Sequence, residues 1–294
     1  MRVTNQMMST RLINDMNLNL ERLGELQTKA ASGKKFQRAS DDPTSARVAL
    51  TLRSSLESTR AYLNTAQTTD DWMSATETAM GQMESLAGSA LDLALKGISD
   101  GNEGNRPLLG EEVNQLLQQA IEVANTTHQG EHIFAGYKTK TQPFSLQAGT
   151  PDTMAYNGDA GLIQRSLGTG NPVTVNIDGD ATFSPLLTAL ITARDALNAD
   201  DPLAVQAAVT DLQTALGGTI QTRSLNGLRQ RQVRTTQTRL EDTQKFLSEQ
   251  LTRAEDADMI ETITLLRQQE NTYQTVLEVG RRTMEMVSLF DVLS

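Results

Sequence analysis

The chain has 294 residues, a formal net charge of −10 and no cysteine, and only 4% of its residues are aromatic. The negative charge argues against nucleic acid or a membrane surface as a partner, since both attract positively charged proteins. Without cysteine the chain has neither a disulfide framework nor a thiol nucleophile. No stretch reaches the ~20 apolar residues of a membrane span, and no secretory signal peptide precedes the first predicted helix.

The first predicted helix runs from about Val3 to Ala31, and Gly33 offers the left-handed conformation that ends a helix. Apolar or small residues in this segment repeat with alternating steps of four and three, at Ser9, Ile13, Met16, Leu20, Leu23, Gln27 and Ala30. This spacing is typical of a coiled-coil helix. Asp41 or Asp42 can accept hydrogen bonds at the start of a second helix, and Pro43 fits its first turn.

The second helix is predicted to extend to about Lys96, and a third from Leu108 to Thr127. Between Gly130 and Ser184 the helical periodicity disappears and Gly, Pro, Asn and Thr become frequent. Tyr156 to Asp159 has the composition of a hairpin turn, and Val173, Val175 and Ile177 alternate as in a strand. The middle of the chain is therefore predicted to be a small β insertion.

Helical character resumes from Pro185 to Leu197 and from Leu203 to about Leu216. A further helix is predicted from about Thr219 towards Ser288, with a bend near residues 254–258. Its last part carries a second four-three repeat, at Met259, Ile263, Leu266, Glu270, Tyr273, Leu277, Gly280, Met284 and Val287. So narrow an apolar stripe needs a partner helix.

The two terminal repeats are predicted to pair. Residues 1–40 contain seven Lys and Arg against three acids, whereas residues 240–294 contain five against eleven, so the two ends attract each other. The predicted fold is mainly α: an elongated rod of long antiparallel helices with coiled-coil-like paired N- and C-terminal helices and a β-rich insertion at the far tip. The predicted domains are a terminal assembly domain (1–40 and 255–294), a helical rod (41–130 and 185–254) and the insertion (131–184).

Few residues are candidates for chemistry. His128 and His132 flank Glu131 with a four-residue spacing that would chelate a metal on one helix, but Gly130 between them favours a helix end. Five arginines follow one another without an intervening acid, at Arg223, Arg229, Arg231, Arg234 and Arg239. On an acidic chain this run favours a helix surface that meets acidic neighbours over a polyanion site. No residues combine a nucleophile, a base and an oxyanion donor, so we expect no enzyme, cofactor or metal.

Several stretches resemble the flagellin superfamily. The segments Ala31–Lys35 and Ala39–Pro43 resemble its N-terminal pattern of a helix, a basic turn and a short acidic motif before proline. The segment Gly130–Phe144 is similar to the hook–filament junction members of that superfamily, as are Asp256–Glu261 and Ser288–Leu293. The residues that match these motifs are Asp41, Asp42, Pro43, Phe134, Ala135, Gly136, Pro143 and Phe144.

The resemblance implies an extracellular structural protein of the bacterial flagellum, exported through the flagellar type III apparatus without a cleaved signal. It would form a ring of identical subunits between hook-associated protein 1 and the flagellin filament, and an export chaperone would bind its last helix. The subunit-assembly interface would consist of Ile13, Met16, Leu20, Leu23, Met259, Ile263, Leu266, Leu277, Met284 and Val287.

Two alternatives stay open at this stage. A flagellin filament subunit would share the terminal repeats but not the stretch from Phe134 to Phe144. A metal-dependent enzyme using His128 and His132 belongs to a different class of function.

Overall fold

The computed structural model describes residues 2–99, 104–149, 151–168, 170 and 172–292, without the side chains of 2–6, 8 and 283–292. Within these residues the chain forms six α-helices and three two-stranded antiparallel sheets. The predicted fold class, mainly α with a small β portion, is confirmed.

The helices are α1 Arg2–Ser32, α2 Pro43–Ile98, α3 Arg106–Ala124, α4 Gly179–Asn198, α5 Pro202–Glu255 and α6 Met259–Val292. The strands are β1 Thr127–His128, β2 Glu131–His132, β3 Phe144–Gln147, β4 Thr153–Tyr156, β5 Gln164–Arg165 and β6 Val173–Thr174. Each strand pairs with its neighbour in sequence, so that the sheets are β1–β2, β3–β4 and β5–β6.

Aspartates define where four of the helices begin. Asp42 accepts a hydrogen bond from the Ser45 amide before α2, and Asp178 accepts one from the Ala181 amide before α4. The same capping precedes α5 at Asp201 and α6 at Asp258. Each cap satisfies a helix amide that has no partner within the helix, which fixes the first residue of the element.

Contacts divide the chain into two compact units, residues 1–57 with 244–294 and residues 58–243. The boundary falls within α2 and α5. In the first unit α1 packs against α6, and in the second α3 packs against α4 and all three sheets are found. The three domains predicted from the sequence stay a prediction.

In the second unit, α2 and α5 run antiparallel and meet through small and polar side chains. Buried positions of α2 recur every three or four residues, at Ala66, Thr69, Met73, Thr76, Met80, Met83, Ala87, Ala90 and Ala94. The amide side chains of Asn226 and Gln230 on α5 are also buried, and Gln230 donates to the Ser74 hydroxyl at 2.8 Å. Such buried amides fix the register of two helices better than apolar contacts do.

The largest side chains lie where the sheets meet α4. Phe183 contacts Phe134 edge-on, with ring centroids 4.7 Å apart, and Phe144 at 6.2 Å. Arg194 of α4 is also buried and pairs with Asp152, just before β4, at 3.0 Å. Aromatic packing and this ion pair therefore hold β3 and β4 against α4.

Two local predictions are wrong. The helix does not pause between Leu216 and Thr219, because α5 continues through Gly217 and Gly218. Leu212 and Thr219 are buried on either side of the glycines, and their packing outweighs the cost of about 1 kcal/mol that each helical glycine carries relative to alanine.

The second error concerns the β insertion. Tyr156 to Asp159 does not turn a hairpin; instead β3 and β4 are joined through residues 148–152. The Asn157 amide donates to the Pro143 carbonyl at 2.7 Å, so this segment leads the chain out of β4.

Phe183→Ala tests the importance of the aromatic cluster. Phe183 is fully buried, so its truncation should lower the free energy of unfolding by about 3–5 kcal/mol through lost burial and a residual cavity. Urea denaturation followed by the fluorescence of Trp72, the single tryptophan, measures the change. Leu203→Ala is the control, since Leu203 is exposed and its loss should cost under about 0.5 kcal/mol. A loss below 1 kcal/mol for Phe183→Ala would contradict the assigned role.

Candidate assembly surface

The terminal helices α1 and α6 pack antiparallel through one narrow set of side chains. Gln269 donates to the Asn19 carbonyl at 3.2 Å and to its side-chain oxygen at 2.9 Å, and Gly280 lies against Leu12. The buried or half-buried residues, which we call the seam, are Ser9, Leu12, Met16, Asn19, Leu23, Leu26 and Ala30 on α1, and Thr262, Leu266, Gln269, Tyr273, Val276 and Gly280 on α6. Their three-four spacing is that of a coiled coil.

The structure separates the residues predicted for the assembly interface into two groups. Met16, Leu23 and Leu266 lie in the seam. The residues on the outside of the pair are Ile13, Leu20, Met259, Ile263 and Leu277. The side chains of Met284 and Val287 lie outside the described residues.

The outside of the pair is therefore rich in apolar side chains. Besides the five predicted residues, Leu18, Ile260, Leu265 and Val279 are exposed. Single exposed apolar residues are ordinary on soluble proteins, but so many on two paired helices indicate a surface that another protein covers. The seam and this exposed set use different sides of the same helices.

A second feature links the chain segments at one end of the pair. Gly33 ends α1 with a positive φ of 66°, and the next residue, Lys34, forms an isolated antiparallel bridge with Asp256. The Lys35 amide donates to the Glu255 carbonyl at 2.7 Å, and the Ala257 amide donates to the Gly33 carbonyl at 2.8 Å. We call residues 33–35 and 255–257, together with Arg53, the clasp.

Glu255 is the buried charge of the clasp. Its side chain is 5% exposed and contacts Arg53 at 2.8 Å and Lys34 at 3.2 Å. Burial raises the pKa of the Glu255 carboxyl, but the hydrogen bonds from Arg53 and Lys34 outweigh that effect and hold the pKa below its ordinary value of 4.5. The hydrogen bond to Asp256, together with that to Glu255, raises the pKa of the Lys34 ammonium.

The clasp was not predicted from the sequence. The available signal was a pair of lysines directly after the glycine that ends α1 and two adjacent acids where α5 gives way to α6. Opposite charges at two helix ends would have been a reason to place these connections side by side.

The acidic motif Asp41–Pro43 fixes the conformation of the segment that connects α1 to α2. Asp41 accepts hydrogen bonds from the Arg38 amide at 3.0 Å and the Gln37 amide at 3.2 Å, which lower the pKa of its carboxyl. Asp42 caps α2 and Pro43 is the first residue of that helix, as the sequence indicated. These residues shape a turn, and neither carboxylate is buried.

The motif residues from Phe134 to Phe144 build the interior of the second unit. Phe134, Ala135, Pro143 and Phe144 are buried. Gly136 has a φ of 66°, and a Cβ at this position would lie 2.1 Å from the carbonyl oxygen of Asp159. Only glycine fits so close to another backbone. The motif therefore has a structural role in this chain.

The two histidines do not lie together. Residues 128 and 132 belong to β1 and β2, where Thr127 faces His132 and His128 faces Glu131, so the two imidazoles project from opposite faces. His132 Nδ1 lies 2.9 Å from the Asn125 carbonyl oxygen, and His128 meets Trp72 edge-on at 6.0 Å. Among the described residues no group of three His, Cys, Asp or Glu could hold a metal ion.

The arginine run on α5 is only partly paired. Arg223 contacts Glu77 and Glu84 of α2, and Arg234 contacts Asp70. Arg229, Arg231 and Arg239 form no ion pair with the described residues. Two of the five arginines, Arg223 and Arg234, therefore meet acidic residues of the same chain, as expected from the sequence.

In the described part of the chain, no helix combines the length and apolar character that crossing a membrane requires.

Comparison with known sequences finds one family match and several related proteins. Residues 3–139 match the family described as the bacterial flagellin N-terminal helical region. A protein of Escherichia coli (strain K12) is 27% identical over 168 residues, 56% of this chain and 51% of that protein. A protein of Salmonella typhimurium (strain LT2) is 22% identical over 222 residues, 74% of this chain and 68% of that protein. The chain thus spans about half the length of the first relative and two thirds of the second.

Comparison with solved structures supports the fold. Bacillus cereus FlgL has a TM-score of 0.56 with 23% identity, covering 71% of this chain and 99% of that structure. The flagellar junction protein FlgL from Legionella pneumophila has a TM-score of 0.60 with 15% identity, covering 71% and 99%.

The family match, which covers just under half of this chain, is a similarity to flagellin-like helical proteins, and the paired terminal helices with exposed apolar residues agree with that similarity. The particular similarity is to flagellar hook-associated protein 3, the name of both the Escherichia coli and the Salmonella relative. The resemblance predicted from the motifs is therefore confirmed.

The clasp should respond to acid. Since the pKa of Glu255 is lowered in the folded chain, its stabilising contribution is complete above pH 4.5 and is lost as the pH falls through the lowered value. Hydrogen-exchange protection factors of the Lys35 and Ala257 amides should fall in acid, whereas that of the Val175 amide, in the second unit, serves as the reference. Glu255→Gln should weaken this acid response, because the buried carboxylate that pairs with Arg53 and Lys34 is then absent. An unchanged acid response in Glu255→Gln would show that Glu255 does not control the clasp.

Proposed function

We propose that this chain is a structural junction protein of the bacterial flagellum, which forms a ring of identical subunits between hook-associated protein 1 and the flagellin filament. The observation that carries the proposal is that each terminal helix has two surfaces with apolar residues, of which the partner helix covers only one. One side joins α1 to α6 within the chain, and the other exposes Ile13, Leu20 and Leu277 among further apolar residues. A ring buries such surfaces between neighbours.

The exposed residues suit subunit contacts for a physical reason. Removal of apolar surface from water contributes about 25 cal/mol per Å², so the partly exposed apolar side chains of both helices together supply a driving force for association. The helices are already paired, which means that association does not have to pay for their folding again. Assembly can therefore add to the existing pair without replacing it.

The remaining assignments follow from this function. We propose that the chain leaves the cell through the flagellar type III apparatus and acts outside it, that an export chaperone binds α6, and that neither catalysis nor a cofactor is involved. Support for the last point comes from the separated histidines and from the structural roles of Asp41, Asp42 and the motif around Phe134.

A flagellin subunit is the second candidate. A flagellin of Clostridium tyrobutyricum is 25% identical over 126 residues, which is 42% of this chain and 33% of that protein. The junction role is favoured because the curated relatives that cover more of this chain are named hook-associated protein 3.

Addition of the purified chain to filament seeds distinguishes the two roles. A junction protein binds one end and stops, because its upper and lower neighbours differ, whereas a flagellin elongates the seed without limit. We expect no increase in filament length by electron microscopy, with purified flagellin as the positive control. Continued elongation by this chain would favour the flagellin role.

Leu277→Asp tests the exposed side of the terminal pair. Leu277 is 39% exposed and lies outside the seam, so the variant should keep its helical circular dichroism. It should nevertheless be absent from isolated flagella, because assembly would bury an unpaired carboxylate at a cost of several kcal/mol. Immunoblots of purified flagella measure incorporation.

Gln274→Asp is the matched control, since Gln274 is an exposed polar residue on the same helix and its replacement removes no apolar surface. It should be incorporated like the parent chain. Normal incorporation of Leu277→Asp would refute the role of this side of the helix in assembly.

A further inference from the structure

An exposed group of residues in the second unit lies at the end of the buried motif. It consists of Tyr137, Lys138, Lys140 and Leu162, which we call the anchor patch. All four side chains are exposed, Tyr137 to 67%. The patch directly follows the buried residues Phe134 to Gly136, so the interior motif determines where Tyr137 emerges.

Tyr137 is held in place although it is exposed. Its amide donates to Asp159 Oδ1 at 2.7 Å, and its hydroxyl donates to the Leu162 carbonyl at 3.0 Å. The ring lies directly on Gly161, where a Cβ would come within 2.2 Å of the tyrosine Cδ2. Asp159 also accepts from the Gly161 amide at 2.9 Å. The aromatic ring is thus fixed at both ends and on one face.

A fixed exposed tyrosine is well suited to binding a protein. Tyrosine is enriched among the residues that dominate interface energies, and a side chain already ordered in the free protein loses little entropy on association. Two lysines follow the tyrosine in sequence: Lys138 donates to the Gly158 carbonyl at 3.3 Å, and Lys140 pairs with Glu131 at 3.3 Å while its side chain stays 74% exposed. The partner surface should therefore be acidic with some apolar character.

The same chain presents such a surface on α3. Its solvent side, which we call the α3 outer face, consists of Leu108, Glu111, Glu112, Gln115 and Glu122. The sequence has no Lys or Arg between residues 107 and 137, and none of the three glutamates forms an ion pair with the described residues. Leu108 adds an exposed apolar side chain to these charges.

We propose that the anchor patch of one subunit docks on the α3 outer face of a second copy of this chain. The inference rests on the proposed ring, and it names a contact that the terminal helices do not provide. The two surfaces are different, so the contact is heterologous and can repeat from subunit to subunit around a ring. Opposite charges orient the subunits, and Tyr137 and Leu108 supply the apolar contact.

Charge exchange between the two surfaces tests the contact. The double variant Lys138→Glu with Lys140→Glu and the double variant Glu111→Lys with Glu112→Lys should each reduce incorporation into flagella by about tenfold, since like charges then face each other. The quadruple variant restores opposite charges and should recover to within about twofold of the parent chain. Arg60→Glu reverses an exposed charge elsewhere in the second unit that forms no ion pair with the described residues, and it should behave like the parent.

Cysteine cross-linking tests the same contact in solution. Because the chain contains no cysteine, Lys140→Cys and Glu111→Cys each carry a single thiol. At high concentration under mild oxidation, a mixture of the two variants should form a disulfide-linked dimer, whereas each variant alone should not. Circular dichroism of every variant establishes that it is folded.

The outcomes of these experiments distinguish an error in the proposed contact from an error in the proposed junction role. If the parent chain is present in flagella but the quadruple variant is no better than the doubles, or if the double variants assemble normally, the contact is wrong and the junction role stands. Absence of the parent chain from flagella would reject the junction role, while the mixed disulfide would still report on the contact. No excess of mixed dimer over the single variants would overturn it.

Discussion

The packing of α1 against α6 through a single seam is the constraint on which the first unit depends. Because only one narrow side of each helix is used, other sides remain available, and apolar residues there, several of them next to the seam, are exposed. The clasp adds a fixed connection at one end, where the buried charge of Glu255 holds Lys34 and Arg53. The two helices are therefore packed against each other along the seam, while apolar side chains outside the seam remain exposed to solvent.

In the second unit the recognisable motif and the proposed contact have separate physical roles. Phe134, Gly136 and Phe144 are interior residues that fill the space beside α4 and allow a close backbone approach at Asp159. Tyr137 follows immediately and is the residue that reaches the surface. The buried residues of this segment therefore determine where Tyr137, the residue of the proposed contact, reaches the surface.

How far the sequence could predict these features varies with the interaction. Helices and their starts were predictable because periodicity and aspartate caps are local signals. The seam was predicted correctly at seven positions, Ser9, Met16, Leu23, Ala30, Leu266, Tyr273 and Gly280. The predicted positions between them differ by one residue, because Leu12 and Ile13 are both apolar and the polar pair of Asn19 and Gln269 carries no hydrophobic signal. The separation of His128 from His132 depends on positive φ angles at Gln129 and Gly130, which spacing does not reveal.

The composition of the interface between α2 and α5 has a consequence for how the second unit comes apart. Between residues 213 and 243 of α5 the buried residues are Thr219, Asn226, Gln230 and Val233, so each turn of this part of the helix adds only a small increment of stability. Because none of these four is a large apolar side chain, this part of α5 can separate from α2 in small steps. We proposed above that the chain passes unfolded through a narrow export channel. Separating this part of α5 from α2 before export then requires a series of small steps and no single large force.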